Sequence, residues 1–199
     1  MIIFAKEEYK FEYLNEFISF YKKANKKNQP NIEAMCISTS LNNKPSSRFV
    51  NIKTISNEGL IFYTDYRSNK AKNIANNANV SGVFFWHTIN TQIRIEGRAK
   101  KTNKIISDKH FEGRSYEKNI SSITSFQSAE HKSYEDLLKK YKHNYKQYLN
   151  QEIVRPHFWG GYLIDVKLIE FWEGQPNRLN KRKQYKKARG AWVKTHLQP

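Results

Sequence analysis

Apolar and polar residues alternate along most of this chain in a way that predicts strands separated by a few helices. Residues 9–25 instead carry apolar side chains three and four positions apart, which predicts an amphipathic helix. "NNKPSS" at 42–47 predicts a turn, and Asn57-Glu58-Gly59 predicts a hairpin. The apolar runs predict strands over residues 34–40, 48–55, 60–65, 80–86, 91–100, 159–172 and 191–197.

The remaining predicted helices lie between these strands. Ser68 is expected to cap a helix over residues 69–77, and residues 103–150 are expected to be mostly helical with an interruption at 113–125. Hairpin-linked strands dominate, and strands do not alternate regularly with long helices. We therefore predict an α+β fold with an antiparallel barrel or sheet. No internal repeat or linker divides the sequence, so we expect one domain over residues 1–199.

Composition narrows the class of protein. With 38% hydrophobic and 14% aromatic residues, a chain of 199 residues can build an apolar core. It has no apolar run of about 18 residues, so we expect no membrane span. The order of charge and apolar residues at the N-terminus is not that of a secretory signal. Cys36 is the lone cysteine, which excludes an internal disulfide and favours a reducing, cytoplasmic location.

The formal net charge is +17, from 35 Lys and Arg against 18 Asp and Glu. Such an excess is typical of proteins that bind nucleic acid, anionic membranes or phosphorylated ligands. Here the lysines are scattered, and Asn and Ile are also abundant, which indicates a compositional bias. The aromatic residues alternate like core positions, and no RNA-binding or zinc-finger pattern is present. We therefore expect neither nucleic acid nor membrane as a partner, while a few cations remain candidates for a specific anion.

Three cationic side chains stand where an anion could bind. Arg48 and Lys53 are five positions apart on a predicted strand, so their side chains face opposite sides. That spacing suits either two separate anion sites or an ordinary half-exposed strand. Lys70 lies in the first turn of a predicted helix, where it opposes the helix dipole unless an anion is also present.

A second group of polar residues surrounds the turn after residue 172. If residues 178–182 are extended, Arg178, Asn180 and Arg182 share one face, and the two guanidinium groups can grip an anion. Trp172 could stack on a flat ring. Gln92, in another predicted strand, offers a donor and an acceptor that suit the edge of a heterocycle, although an exposed strand glutamine is the commoner case.

The histidines do not predict a metal site. His87 has no second His or Cys at metal-ligand spacing, so we expect no bound metal. His110, Arg114 and Lys118 follow one another at four-residue steps, and they would share a face of any helix that continued through Gly113.

The chain contains, in this order, the segments "RFVNIK", "FYT", "SNKA", "WHTINTQIRIEGRA", "SFQS", "FWGGYLI" and "IEFWEGQPNRLNKR", and it ends in Leu-x-Pro. Together these resemble the pyridoxine 5′-phosphate oxidase family over nearly the whole sequence. The resemblance implies a split β-barrel that binds flavin mononucleotide (FMN) at a homodimer interface. It also implies an oxidase of a small molecule, in which a hydride passes from the substrate to FMN and oxygen then takes the electrons to give hydrogen peroxide.

The resemblance also assigns roles to single residues. It implies that Arg178 is catalytic. The expected FMN contacts are Arg48, Phe49, Val50, Asn51, Ile52, Lys53, Tyr63, Thr64, Asn69, Lys70, Gln92, Gln127, Ser128, Trp172 and Arg182. The expected substrate contacts are Lys53, His110, Arg114, Lys118, Arg178 and Asn180.

The chain departs from the family pattern at four of these positions. Asn69 replaces an arginine that precedes the phosphate-binding lysine, and Asn180 replaces a histidine. His110 and Lys118 stand where the family usually has tyrosine and serine. The N-terminal extension that helps to cover the substrate is expected to be missing.

These departures affect the expected substrate more than the expected cofactor. The phenazine-biosynthesis oxidases of the same superfamily share "SSR" before the first long strand, "SG" in a later one, and the missing arginine at Asn69. The resemblance therefore leaves open an oxidase of a reduced heterocyclic acid, or an FMN-binding protein without catalysis. The retained Lys53 favours a vitamin B6 phosphate.

Overall fold

The structure is a computed structural model that describes residues 1–199. No helix in it has the length and apolarity needed to cross a membrane. The strands are β1 (Ile3–Phe4), β2 (Ala34–Leu41), β3 (Lys44–Ser56), β4 (Gly59–Asp65), β5 (Asn79–Trp86), β6 (Thr91–Lys101), β7 (Trp159–Glu173), β8 (Lys181–Ala188) and β9 (Ala191–Leu197). The helices are α1 (Glu12–Lys26), α2 (Asn69–Asn76), α3 (Lys104–Glu112), α4 (Tyr116–Thr124), α5 (Tyr134–Gln147) and a short 3-10 helix at His87–Ile89.

The strands from β2 to β7 close into a ring. In the order β3-β2-β5-β6-β7-β4 every neighbouring pair is antiparallel, and β4 returns to β3. The first half of β7 pairs with β4, whereas its second half leaves the ring and pairs with β8. The β8–β9 hairpin therefore extends the sheet beyond the barrel, and β1 adds a short parallel pair to β3. This architecture confirms the prediction of an α+β split barrel.

Alternation along the strands and the stripe on α1 build a single core cluster of 29 buried residues. The ring of Phe17 on α1 lies 5.4 Å from the rings of both Phe84 and Trp86 on β5. One turn further along α1, Phe20 stacks on Phe171 of β7 at 5.5 Å. Burying each of these large side chains contributes about 1.5–3 kcal/mol to folding. The apolar face of α1 therefore docks it on the barrel.

Two local predictions are too coarse. The turn predicted over 42–47 consists only of Asn42 and Asn43, whose φ angles are +49° and +60°. Two consecutive left-handed residues make the tight hairpin turn that matches strand twist, so β3 already begins at Lys44, opposite Leu41. Ser68 does precede α2, but its hydroxyl donates to the Asp65 carbonyl at 2.7 Å and accepts no bond from a backbone N–H of the helix.

Two elements differ from the sequence prediction. The segment 113–125, predicted as an interruption, is interrupted only around Gly113 and then forms α4. Strand β8 was not predicted, because six of its eight residues are Lys, Arg or Gln and only Tyr185 is buried. Its pairing with β7 holds it in the sheet in spite of this polar sequence.

Gly59 provides a test of how tightly the barrel closes. Its φ of +138° is unfavourable for other residues, and a Cβ at this position would collide with the carbonyl oxygen of Ile164 on β7. We expect Gly59→Ala to lower the free energy of unfolding by about 2–3 kcal/mol, measured by denaturant titration. Gly113→Ala is the matched control, because φ there is −76° and the nearest atom lies 3.6 Å away. Equal stability of the two variants would contradict this account of the closure.

Candidate functional site

A cavity of about 480 Å³ is lined by residues of β3 and β4 and by residues on both sides of the break between α3 and α4. No Asp or Glu lines it. The residues predicted from the sequence that do line it are Phe49, Val50, Asn51, Lys53, Tyr63, Thr64, Lys70, His110, Arg114, Lys118 and Gln127. The structure thus gathers residues from β3, β4, α2, α3, α4 and the segment after α4 into one cationic cavity.

Lys70 is the most deeply buried cation of the cavity. It is 6% exposed, and its Nζ donates to Thr64 Oγ1 at 2.9 Å, Gln127 Oε1 at 2.8 Å and Ser68 Oγ at 3.2 Å. None of these partners carries a negative charge. Burial, and then the nearby charge of Arg48, lower the pKa of Lys70 to about 8. A buried ammonium group with only neutral partners is costly, and a bound anion would offset that cost.

Arg48 is also satisfied by neutral oxygens. Its guanidinium donates to Thr39 Oγ1 and the Ser46 carbonyl at 2.8 Å and to Ser46 Oγ at 2.7 Å, and burial lowers its pKa. Lys53, in contrast, lines the cavity and lies 3.5 Å from Glu33. The two cations of this strand therefore have different surroundings, as their odd spacing predicts.

His110, Arg114 and Lys118 meet at the cavity although the helix breaks between them at Gly113. The Arg114 guanidinium donates to Ser122 Oγ at 2.9 Å and to the Lys118 carbonyl at 3.0 Å. Burial lowers the pKa of Arg114 to about 10. These contacts hold the Arg114 guanidinium at one end of the cavity beside Lys118, and neither cation has a carboxylate partner.

The same end of the cavity has an aromatic wall. The imidazole of His110 stacks on Tyr63 with 3.6 Å between ring centroids and 3° between planes. Trp159 lies parallel to Tyr63 at 5.5 Å, and the Arg114 guanidinium lies 4.5 Å from the Trp159 ring. Burial, and then the charges of Arg114 and other cavity cations, lower the pKa of His110 to about 4. His110 is therefore a neutral hydrogen-bonding group near pH 7.

A second group of predicted residues lies elsewhere. Gln92, Trp172 and Arg182 are neighbours on β6, β7 and β8, and none of them lines the cavity. Arg182 Nε donates to Glu170 at 2.8 Å, and this bond raises the pKa of Arg182. Trp159 and Trp172 belong to opposite ends of β7, which corresponds to about 40 Å of extended strand. One copy of the chain therefore does not bring the two groups together.

The segment before β8 is not extended, so the predicted common face of residues 178–182 is wrong. Arg178 has a φ of +62°, lies exposed in a bend, and makes no side-chain hydrogen bond or ion pair. Asn180 Oδ1 accepts from the Gln175 backbone N–H at 3.0 Å and closes the loop. The loop therefore presents Arg178 to solvent with its guanidinium free.

The other predicted residues contribute to the surroundings of the cavity. The side chain of Ile52 is fully buried in the core, so only its backbone could meet a ligand. The backbone N–H of Asn69 donates to Ser128 Oγ at 3.4 Å, and Ser128 has a φ of +72°. Neither Asn69 nor Ser128 lines the cavity.

Sequence reasoning missed several residues of the site: Gly113 and Ser115 also line the cavity. Trp159 forms part of the aromatic wall, although the sequence predicted it only as the start of a strand. Glu170, 2% exposed, accepts from Arg182 and lies 3.3 Å from Arg94 Nε. A carboxylate inside the apolar run "LIEFW" was the signal available for Glu170, because a charge at such a position needs a partner.

Comparison with known proteins identifies the family. A family model described as "Pyridoxamine 5'-phosphate oxidase" matches residues 22–146, and one described as "Pyridoxine 5'-phosphate oxidase C-terminal dimerisation region" matches residues 159–199. A pyridoxine/pyridoxamine 5'-phosphate oxidase of Flavobacterium psychrophilum is 41% identical over 156 residues, covering 78% of this chain and 73% of the relative. Another, of Mannheimia succiniciproducens, is 37% identical over 189 residues, covering 94% and 86%.

Two solved structures have the same architecture. PhzG from Burkholderia lata, in complex with tetrahydrophenazine-1-carboxylic acid, matches with a TM-score of 0.90 and 27% identity over 94% of this chain and 93% of that one. A pyridoxamine 5'-phosphate oxidase-related, FMN binding protein from Nostoc punctiforme matches with a TM-score of 0.76, at 15% identity, over 92% and 96%. The second match concerns the fold alone. The family models and the relatives show that this chain belongs to the pyridoxine/pyridoxamine 5'-phosphate oxidase family.

Proposed function

We propose that this protein is an FMN-dependent oxidase that converts pyridoxine or pyridoxamine 5'-phosphate to pyridoxal 5'-phosphate. The observation that carries the proposal is a cavity with a buried Lys70, a half-buried Arg114, further cations around them, and no carboxylate in its lining. Such a cavity favours ligands that carry strong negative charge, and a flavin phosphate and a substrate phosphate both have this property.

The cofactor phosphate fits the end of the cavity at Lys70. Lys70 would bind it, Thr64 and Gln127 would fix the position of that ammonium group, and the nearby charge of Arg48 would add to the positive potential there. When bound, FMN would accept a hydride from the substrate and pass the electrons to oxygen, giving hydrogen peroxide, and the imine formed from pyridoxamine 5'-phosphate would take up water and release ammonia to give the aldehyde. The polypeptide would bind and orient both molecules. The full set of proposed cofactor contacts is Arg48, Phe49, Val50, Asn51, Ile52, Lys53, Tyr63, Thr64, Asn69, Lys70, Gln92, Gln127, Ser128, Trp172 and Arg182.

A homodimer would complete the site. Gln92, Trp172 and Arg182 pair with one another at the end of β7 opposite the cavity, too far away to reach the cavity of their own chain. Phe49 and Phe85 expose 73% and 57% of their surface, which is unusual for aromatic residues unless a partner covers them. The match of residues 159–199 to a dimerisation region supports a second copy as that partner. Each site would then combine the cavity of one copy with Gln92, Trp172 and Arg182 of the other, here called the Trp172 group.

The substrate phosphate fits the opposite end of the cavity. Lys53, Arg114 and Lys118 offer positive charge there, and neutral His110 offers one hydrogen bond. Arg178 of the second copy is proposed as the catalytic residue, because the loop after β7 lies at the Trp172 end of its chain and its free, exposed guanidinium can move over a substrate bound in the cavity of the first copy. Asn180 supports that loop through its bond to Gln175.

A reduced heterocyclic acid is the second candidate substrate. The fold matches PhzG at a TM-score of 0.90, and the "SSR" segment and the missing arginine at Asn69 resemble the phenazine branch. A carboxylate carries less charge than a phosphate dianion, and the number of cations around Arg114 therefore favours the phosphate.

Turnover with defined substrates tests the proposed function. Purified protein should be yellow, should release FMN on denaturation, and should consume oxygen with pyridoxine 5'-phosphate. Turnover only with a dihydro-aromatic acid would select the second candidate. Bound FMN with no turnover of either class would indicate a non-catalytic flavoprotein.

Two arginine substitutions should separate catalysis from cofactor binding. We expect Arg178→Ala to lower kcat at least tenfold while flavin content stays near that of the wild type. We expect Arg48→Ala to lower flavin content more than kcat per bound flavin, because its guanidinium raises the positive potential at Lys70. Arg189→Ala is the control, since Arg189 is also exposed with a positive φ of 48°. Equal losses of both quantities in each variant would contradict the assigned roles.

The pKa of Lys70 predicts how cofactor affinity depends on pH. In the free protein this pKa is about 8, and a bound phosphate would raise it. The contribution of Lys70 is therefore complete below pH 8 and is lost as pH rises towards the higher pKa of the complex. We expect the FMN Kd to be flat near pH 7 and to increase by up to about tenfold between pH 8 and 9, measured by flavin fluorescence. Lys70→Met should bind more weakly and lack this increase, and a flat wild-type profile would refute the assignment.

A further inference from the structure

Arg67, at the end of β4, has the most extensive set of side-chain contacts near the cavity. Its Nε lies 3.0 Å from Asp65 Oδ1 and its terminal nitrogen lies 2.7 Å from Asp65 Oδ2, so the two residues form a bidentate ion pair. The same terminal nitrogen donates to the Ser125 carbonyl at 3.2 Å. The guanidinium is also held between two aromatic rings, 4.1 Å from Phe126 and 3.5 Å from Phe158.

These contacts join separate segments of the chain. Ser125 and Phe126 belong to the 125–128 loop that follows α4, whereas Phe158 immediately precedes β7. The carboxylate of Asp65, 6% exposed, also lies 3.4 Å from the Gln127 backbone nitrogen, which donates to it. Arg67 and Asp65 therefore hold the 125–128 loop against the end of β4.

The loop held in this way positions Lys70. Gln127 Oε1 accepts from Lys70 Nζ at 2.8 Å and from Thr64 Oγ1 at 2.7 Å. These bonds direct the ammonium group into the cavity. If the loop moved away, Lys70 would lose its contact with Gln127 and gain rotational freedom.

Few cationic side chains lie at this end of the cavity, so the orientation of the Lys70 ammonium group has a larger effect on the binding of an anion. Asn69 occupies the position where the resemblance places a second cation, and its backbone N–H only supports the loop through Ser128. Arg67 itself does not line the cavity, and its charge is paired with Asp65. Its influence on a bound phosphate must therefore act through the loop.

We propose that Arg67 is a positioning residue for the cofactor phosphate, because it fixes the 125–128 loop and thereby the Gln127–Lys70 contact. The inference rests on the proposed binding of FMN. A purely structural ion pair would contribute to stability alone and would affect FMN and riboflavin, which lacks the phosphate, to the same extent. A positioning role predicts a loss specific to the phosphate.

Binding of FMN and riboflavin to flavin-free protein tests the proposal. We expect Arg67→Met to weaken FMN binding about tenfold and riboflavin binding less than twofold, measured by fluorescence titration. Arg67→Lys, which keeps the charge but cannot form two parallel bonds, should give an intermediate loss. Hydrogen exchange of the backbone amides in the 125–128 loop should accelerate in flavin-free Arg67→Met.

Asp65→Asn distinguishes positioning from simple electrostatics. Removing a negative charge near the cavity would strengthen phosphate binding if only net charge mattered. A positioning role of Arg67 predicts the opposite result, a weaker FMN complex, because Asp65→Asn removes the bidentate ion pair with Arg67. Tighter FMN binding by Asp65→Asn, or an unchanged preference for FMN over riboflavin in Arg67→Met, would overturn the proposal.

Lys183→Met is the matched control. Lys183 pairs with Glu16 at 2.7 Å, and its side chain is 31% exposed, as is that of Arg67. This variant should change stability without altering the preference for FMN over riboflavin.

If the wild-type protein binds no FMN, the proposed function is wrong. Exchange in the 125–128 loop then decides the role of Arg67 by itself, and unchanged exchange in Arg67→Met would rule it out.

Discussion

The site depends on buried positive charge that the protein itself does not neutralise. Lys70 is nearly inaccessible and has only hydroxyl and amide partners, and Arg114 is held by a hydroxyl and a carbonyl. Burial lowers the pKa of both groups, which shows that the folded protein disfavours their charged forms. A protein of ordinary stability can retain such groups when a ligand with the opposite charge compensates for them. The lining contains no Asp or Glu side chain that would compete with such a ligand for these cations.

The topology of the barrel decides which residues can surround that charge. β7 closes the ring through its first half and leaves it through its second half. The cavity therefore forms near Trp159, whereas Trp172 and Arg182 lie at the other end of the strand. We propose that a second copy supplies the distant group. The exposed rings of Phe49 and Phe85 provide apolar surface for such a contact.

Most of the fold could be predicted from the sequence, because alternating or continuous apolar runs mark every strand of the ring. Strand β8 could not be predicted, because its sequence is mostly Lys, Arg or Gln and lacks an apolar pattern. It is a strand because it pairs with β7. The bend at Arg178 could not be predicted either, because a positive φ in a residue other than glycine depends on the loop around it.

For the site, the spacing of Arg48 and Lys53 indicated that the two side chains face different surroundings, but the roles of single residues came from the resemblance. The Arg67–Asp65 pair was not predictable, since Phe126 and Phe158 approach it from distant parts of the chain.

The central claim is that the cations of the cavity bind phosphate. A crystal structure of the purified protein with FMN tests it most directly. The account predicts that the flavin phosphate lies within hydrogen-bond distance of Lys70 Nζ and that the Trp172 group of a second copy meets the same flavin. A flavin phosphate bound outside this cavity, with Lys70 still contacting only Thr64, Ser68 and Gln127, would contradict the account.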